Sequence, residues 1–451
     1  MSFKANRLPP GLALNPQTGL IAGSVATRGT YHVQLTARNH RGAASRKLHI
    51  VVGETIALTP PMGWNSWYVL ENRVTDRDIR AAAEAMVSSG LIQHGWSYVN
   101  IDDCWAVKTN ASEPELRGAA RDSVGRIRAN QRFPDMKSLV DHIHALGLKA
   151  GIYTSPGGIT CAGHAGSYQH EAEDARQIAE WGFDLLKYDW CGYDFIAKDH
   201  SLPELQKPYR LMGELLRQQP RDIVYNLCQY GMGDVWRWGR DVGGHCWRTA
   251  NDLGLTFEGI AAGLFRDGFD VYATNQLHRF AGPGGWNDPD YLLLGRISNW
   301  KGSIVPTPLT PNEQYSQVSL WCLLAAPLIF SGDLTRLDEF TLSLLTNDEV
   351  IGVNQDPLGK PGRRVAKDGV LEVWARELED GSQAVGLFNR GERATTVTVR
   401  WSDLSSTGNQ HVRDLWRQQD LGVFLEKFNA PVGRHGVVLV RVSPHKLATP
   451  L

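Results

Sequence analysis

Strand-length apolar stretches recur through the middle of the chain, and each runs directly into polar or glycine-rich residues. Reading forward they are "MGWNSW", "SYVNIDDCW", "KAGIYTSPG", "DLLKYDWCG", "IVYNLCQYG", "HCWRTANDL", "GGWNDPD" and "PLIFSGDL". Between several of them the period becomes helical. "DRDIRAAAEAMVSSGL" and "DMKSLVDHIHALGL" space apolar residues three and four apart, and the second ends at Gly147. Eight strand-like runs alternating with helices over residues 54–354 predict a (β/α)8 TIM barrel, whose usual size is about 250 residues. The seventh run is the weakest and reads more as loop than as strand. A doubly wound open sheet is the alternative, but no G-x-G-x-x-G follows an early strand.

Both ends of the chain have a different texture. Residues 1–53 read as short strands and turns, "GLALNPQTGLIAG", "GTYHVQLTARN" and "SRKLHIVVG", with turn chemistry at Asn15-Pro16 and Gly19. Such a segment is marginal as an independent domain. It opens almost inside a strand, which implies that a preceding strand and a leader have been removed. Residues 355–451 return to alternation in "GVLEVWARE", "SQAVGLFNR", "TTVTVRW", "HVRDLW" and "GVVLVRV", which predicts an antiparallel β-sandwich. Pro357 and Gly359 mark the junction. The expected fold class is α/β: a (β/α)8 barrel with a C-terminal antiparallel β-sandwich and a short N-terminal β module.

Composition narrows the function classes. Of 451 residues, 42% are hydrophobic and 21% charged, and 47 Lys plus Arg nearly balance 48 Asp plus Glu. That balance gives no reason to expect nucleic acid or an anionic membrane as partner. No apolar run reaches the roughly 18 residues of a membrane span, and "MSFKANRLPPG" has no signal-peptide core. Six cysteines without a C-x-x-C pair argue against a zinc or thioredoxin-like site and permit disulfides. Fifteen tryptophans are many for this length; most serve a core, and a few could form flat platforms for sugar rings. Nothing readable specifies an oligomeric state.

Candidate chemistry gathers where a barrel would place it, at the carboxyl ends of the strands. Those ends carry Trp67, Asp102, Asp103, Tyr153, Lys187, Asp189, Gln229, Arg248, Asp252, Asp288 and Asp290. Lys187 and Asp189 are two apart on one strand and therefore share a face, either as a structural ion pair or as part of a site. "IDDCW" reads as a helix cap, a hard-cation site or part of a pocket. "WNDPD" fits a loop with Asx-turns, and "WRTAND" a structural Arg–Asp pair. Their coincidence at one end of successive strands favours a single polar pocket with aromatic walls, which suits a pyranose. Two carboxylates flanking one anomeric carbon are what glycosidic cleavage requires.

In order, "PPMGWNSW", "IDDCW", "GIYTSPG", "LLKYDWC", "WRTANDL" and "GGWNDPDYLLLG" resemble the α-galactosidases (melibiases) of glycoside hydrolase family 27 over roughly residues 58–450. The N-terminal segment is similar to the immunoglobulin-like module of some bacterial members. The resemblance implies Asp189 as catalytic nucleophile and Asp252 as general acid/base of a retaining hydrolase acting on terminal α-galactosyl residues. It further implies Asp102 and Asp103 on O4 and O6, Lys187 on O3 and O4, and Arg248 on O2. Trp67 and Tyr153 would line the ring, and Asp290 would lie beside the acid/base. No metal or other cofactor is implied. The family pattern also implies a Cys161–Cys191 disulfide, and a Cys228–Cys246 bridge is plausible beside it, with Cys104 and Cys322 free. Disulfides in turn imply a secreted or periplasmic location. Two positions depart from the pattern: Gln229 stands where Glu commonly faces O2, and Tyr291 where Met is usual. The alternatives are an α-N-acetylgalactosaminidase, which typically has small residues in the wall Gln229 occupies, and a β-L-arabinopyranosidase, which alters the acidic pair intact here. From another class, a non-catalytic sugar-binding protein would lack one of the two carboxylates.

Overall fold

The computed structural model describes residues 1–255 and 259–445, which form two compact units divided after Ile56. In the first, strands Ser2–Asn6, Gly29–Asn39 and Gly42–Val52 make an antiparallel sheet, with Leu12–Leu14 and Ile21–Gly23 as a separate hairpin. The turn into that hairpin is built by Asn15, whose Oδ1 accepts the N–H groups of Gln17 and Thr18. Val33 is its one fully buried large apolar residue, in keeping with so short a segment.

The second unit is built around eight parallel strands: β1 (Met62–Asn65), β2 (Tyr98–Asn100), β3 (Lys149–Thr154), β4 (Leu185–Asp189), β5 (Val224–Cys228), β6 (Cys246–Arg248), β7 (Trp286–Asp288) and β8 (Leu328–Phe330). They pair in sequence from β1 to β7, β8 lies beside β1, and a parallel bridge between Leu292 and Phe330 approaches closure on the β7 side. Every expected run is a strand, including the weak seventh, which keeps three residues. Nearly all strand residues are buried because helices cover the outside and side chains fill the inside, which is why the runs read as continuously apolar. The fit inside is tight. Asn100 on β2 lies where a side chain on β3 would start: a Cβ at Gly151 would sit 1.8 Å from Asn100 Oδ1.

Both sequence-predicted helices form, α1 over Asp76–Ser88 and α2 over Met136–Ala145. Thr75 and Asp78 make a reciprocal capping box on α1, and Asp135 caps α2. Between β7 and β8, the helix Pro311–Leu324 is buried almost all round. One side packs on the barrel, the other beneath a six-stranded antiparallel sheet formed by residues 363–444. A two-stranded sheet, Thr395–Arg400 with Lys427–Val432, completes the sandwich over Val385, Leu387, Val399, Phe428 and Val440. Barrel and sandwich are one compact unit with a shared core, stitched by Arg376 Nη1 donating to the carbonyls of Cys322 and Asn354. No helix among the described residues is long and apolar enough to cross a membrane.

Candidate active site

The carboxyl ends of β2 to β4 meet around one ion pair. Lys187 Nζ donates to Asp102 Oδ2 at 2.9 Å, and both side chains are buried. Asn65 Nδ2 and the Tyr291 hydroxyl donate to the same oxygen at 2.8 and 3.2 Å. The ammonium also sits 5.0 and 5.2 Å from the ring centres of Tyr153 and Tyr291. Burial opposes the Lys187 charge, but Asp102 beside it holds the ammonium well above the usual lysine range. Asp103 points elsewhere: it accepts from the Thr160 hydroxyl (2.8 Å) and the N–H groups of Cys104 and Ala162. Burial nevertheless pushes its carboxyl up to about 6, these bonds working against it and the neighbouring Asp102 adding to it. Asp102 Oδ2 thus carries an ammonium and two other donors, while Asp103 is held by three donors of its own.

Asp189 ends β4 and is 2% exposed. Its Oδ1 accepts from the Trp190 N–H at 2.8 Å and from the Tyr230 hydroxyl at 2.7 Å. Burial pushes this carboxyl up, Lys187 and Tyr230 pull it down, and Asp252 adds to the rise; the net direction is upward. The disulfide Cys161–Cys191 lies directly against it, both sulfurs within 4.8 Å of the carboxylate. Tyr153, facing Lys187 across the β3–β4 register, donates its hydroxyl to Cys161 Sγ at 3.2 Å.

The opposite wall is organised by Arg248 at the end of β6. Its Nη1 contacts Asp252 Oδ1 at 3.0 Å and Asp290 Oδ1 at 3.3 Å. Asp290 is wholly buried in a left-handed backbone conformation and accepts from the Tyr68 hydroxyl and the Leu253 N–H. Burial pushes its carboxyl up, Arg248 opposes this and Asp252 reinforces it. The Asp252 side chain is 25% exposed, so of the carboxylates around Arg248 it is the one open to water. Gln229, just past β5, is fully buried, and neither end of its amide has a partner among the described residues. Trp67 opens a short helix after β1, half-buried, with Trp300 edge-on at 5.8 Å.

All eleven expected residues therefore lie on or just beyond the carboxyl ends of barrel strands, Asp288 ending β7 and accepting from the Asp290 N–H. Contacts also join Asp102 to Lys187, Lys187 to Tyr153, and Arg248 to Asp252 and Asp290. The side chains of Trp67, Asp103, Asp189 and Gln229 make no hydrogen bond or ion pair with the other candidates among the described residues. One expectation fails: Cys228 and Cys246 are both free, as are Cys104 and Cys322. Cys246 pairs in register with Asn226, two residues short of Cys228. At about 3.3 Å per residue and 4.8 Å between strands, the Cα atoms stand about 8 Å apart, too far to bridge. Cys228 instead meets Arg248 Nη1 at 3.6 Å, while Cys246 packs against Trp286 and Ala325. Thiol titration in denaturant should accordingly count four thiols without reductant and six with it.

Sequence reasoning missed Tyr68, Asn65, Thr160 and Tyr230 as site members. Asn65 and Tyr68 stand beside the selected Trp67, and Tyr230 beside Gln229, so adjacency was the available signal. Thr160 had none, because its contact with Asp103 spans 57 positions.

Comparison with known proteins places the chain in a family. The "Alpha galactosidase A" family model matches residues 59–356, the "Alpha galactosidase C-terminal beta sandwich domain" model residues 368–442, and an Ig domain model residues 1–53. Alpha-galactosidase 2 of Arabidopsis thaliana is 37% identical over 402 residues, covering 88% of this chain and 92% of its own length. The crystal structure of alpha-galactosidase I from Mortierella vinacea superposes with a TM-score of 0.74 at 32% identity, over 86% of this chain and 97% of that one. A GH27 β-L-arabinopyranosidase from Geobacillus stearothermophilus superposes with a TM-score of 0.76 at 28% identity, over 88% and 98%. The chain thus belongs to the α-galactosidase family of glycoside hydrolases.

Proposed function

We propose that the chain is a retaining exo-α-galactosidase in which Asp189 is the nucleophile and Asp252 the general acid/base. The observation that carries this is the difference between the two carboxylates. Asp189 is buried beside a cation and fixed by two donors, whereas Asp252 is a quarter exposed and held from one side by Arg248. In the first step Asp189 attacks the anomeric carbon while Asp252 gives its proton to the departing oxygen. Asp252 then takes a proton from the water that releases the sugar. Retention requires the two carboxyl groups about 5–5.5 Å apart in the working complex. Asp102 and Asp103 take O4 and O6, Lys187 takes O3 and O4, and Arg248 and Gln229 face O2. Trp67 and Tyr153 wall the ring, and Asp290 holds Arg248 in place.

Initial rates on 4-nitrophenyl α-galactoside, α-N-acetylgalactosaminide and β-L-arabinopyranoside test the glycone. The α-galactoside should dominate, because Gln229 is not small and the Asp102–Asp103 pair is intact; dominance of either other substrate would sink the assignment. The rate should trace a bell against pH, since one carboxyl must be ionised while the other is protonated. A flat profile from pH 4 to 8 counts against these roles. Activity should survive exhaustive chelation, because hydroxyls and not a metal ion occupy Asp102 and Asp103 in the working complex. The disulfide beside the nucleophile supports a secreted or periplasmic location, which fractionation of the native host tests.

A further inference from the structure

We propose that Tyr230 is a positioning residue for the nucleophile, its hydroxyl deciding which oxygen of Asp189 attacks and easing the departure of that carboxylate in the second step. The inference rests on Asp189 being the nucleophile. Both donors that reach the carboxylate, the Trp190 N–H at 2.8 Å and the Tyr230 hydroxyl at 2.7 Å, land on Oδ1. Oδ2 has no hydrogen bond among the described residues and is the oxygen left to attack. Tyr230 is held for this task. Its backbone is left-handed, with φ of 59°, and the next residue must be glycine: a Cβ at Gly231 would lie 2.4 Å from the Thr249 carbonyl oxygen. Its ring lies 5.7 Å from the Arg248 guanidinium, and its hydroxyl 4.0 Å from each sulfur of the disulfide.

In the first step Oδ2 bonds to the anomeric carbon as the bond to the leaving oxygen breaks, and Asp252 supplies that oxygen's proton. In the second, water bonds to the carbon and passes a proton to Asp252, while the carbon–Oδ2 electron pair returns to the carboxylate. Tyr230 keeps its proton throughout. A donor bonds a carboxylate more strongly than an ester carbonyl, so the hydroxyl favours the second step at some cost to the first.

In Tyr230→Phe we expect kcat and KM to fall together, kcat by about tenfold. Quenched samples should show more covalent glycosyl-enzyme by intact mass than the wild type. The acid limb of kcat/KM should move up by about one pH unit, because a hydrogen bond that favoured the ionised carboxyl is gone. Replacing Tyr230 by 3,5-difluorotyrosine, a stronger donor of nearly the same shape, should move that limb down. Unmoved limbs in the two proteins, with no gain of intermediate in Tyr230→Phe, would overturn the proposal; if Tyr230→Phe does not fold, an unmoved limb in the fluorinated protein does so alone. Trapping the wild type with a fluorinated galactosyl inactivator and sequencing the labelled peptide separates the two levels. A label on Asp189 upholds the nucleophile independently of Tyr230, and a label elsewhere overturns both.

Discussion

Asp189→Asn should lower kcat by at least about 10^4-fold while leaving the fold intact. The asparagine oxygen can still accept from the Trp190 N–H and the Tyr230 hydroxyl, so the local bonds persist while the charge proposed to attack is lost. Burial already disfavours that charge, so thermal stability should be equal or higher. Asp252→Asn should behave differently. On the proposed roles it removes the proton donor, so aryl galactosides with poor leaving groups should slow by about 10^2–10^4-fold. A dinitrophenyl galactoside needs no protonation to depart and should retain much of its first-step rate. Equal loss on both substrates would show that Asp252 is not the acid. An Asp189→Asn protein with full turnover would remove Asp189 from the chemistry altogether.

The second large effect is expected at Lys187. Asp102 is buried, and Lys187 is the cation on its Oδ2. Lys187→Met leaves that charge uncompensated, which typically costs about 3–5 kcal/mol. It also removes the cation that helps keep Asp189 ionised. We expect a protein with little activity and a markedly lower melting temperature. The double variant Lys187→Met with Asp102→Asn should recover much of the stability and none of the activity, since the buried charge is gone but the two groups proposed to hold the sugar are not restored. Thermal melts of the four proteins of this cycle measure the coupling. A Lys187→Met protein as stable as the wild type would mean that Asp102 has other compensation.

Much of this site is legible along the chain because a barrel confines its chemistry to one end of each strand. Each strand end falls where an apolar run stops, and Lys187 and Asp189 share a face through the strand period of two. The core is legible for the same reason: strands buried on both faces read as unbroken apolar runs. What stays hidden depends on distances between strands and loops. The absence of a Cys228–Cys246 bond follows from a two-residue offset in register between β5 and β6, which neither strand's own sequence records. Barrel and sandwich share one core because the helix Pro311–Leu324 is buried almost all round, and its sequence reads only as a mixed helix.

The eight strands were legible in the sequence alone because each rests on local period, and the family because its motifs are short and local; the proposed roles of Asp189 and Asp252 come with those motifs. Tertiary structure alone decided which side chains touch which carboxylate oxygen. Tyr230 on Asp189, Tyr68 on Asp290 and Thr160 on Asp103 join positions 41, 222 and 57 residues apart. Hydrogen bonds of that range depend on where loops come to rest on the finished barrel, and pairwise spacing along the chain does not encode it.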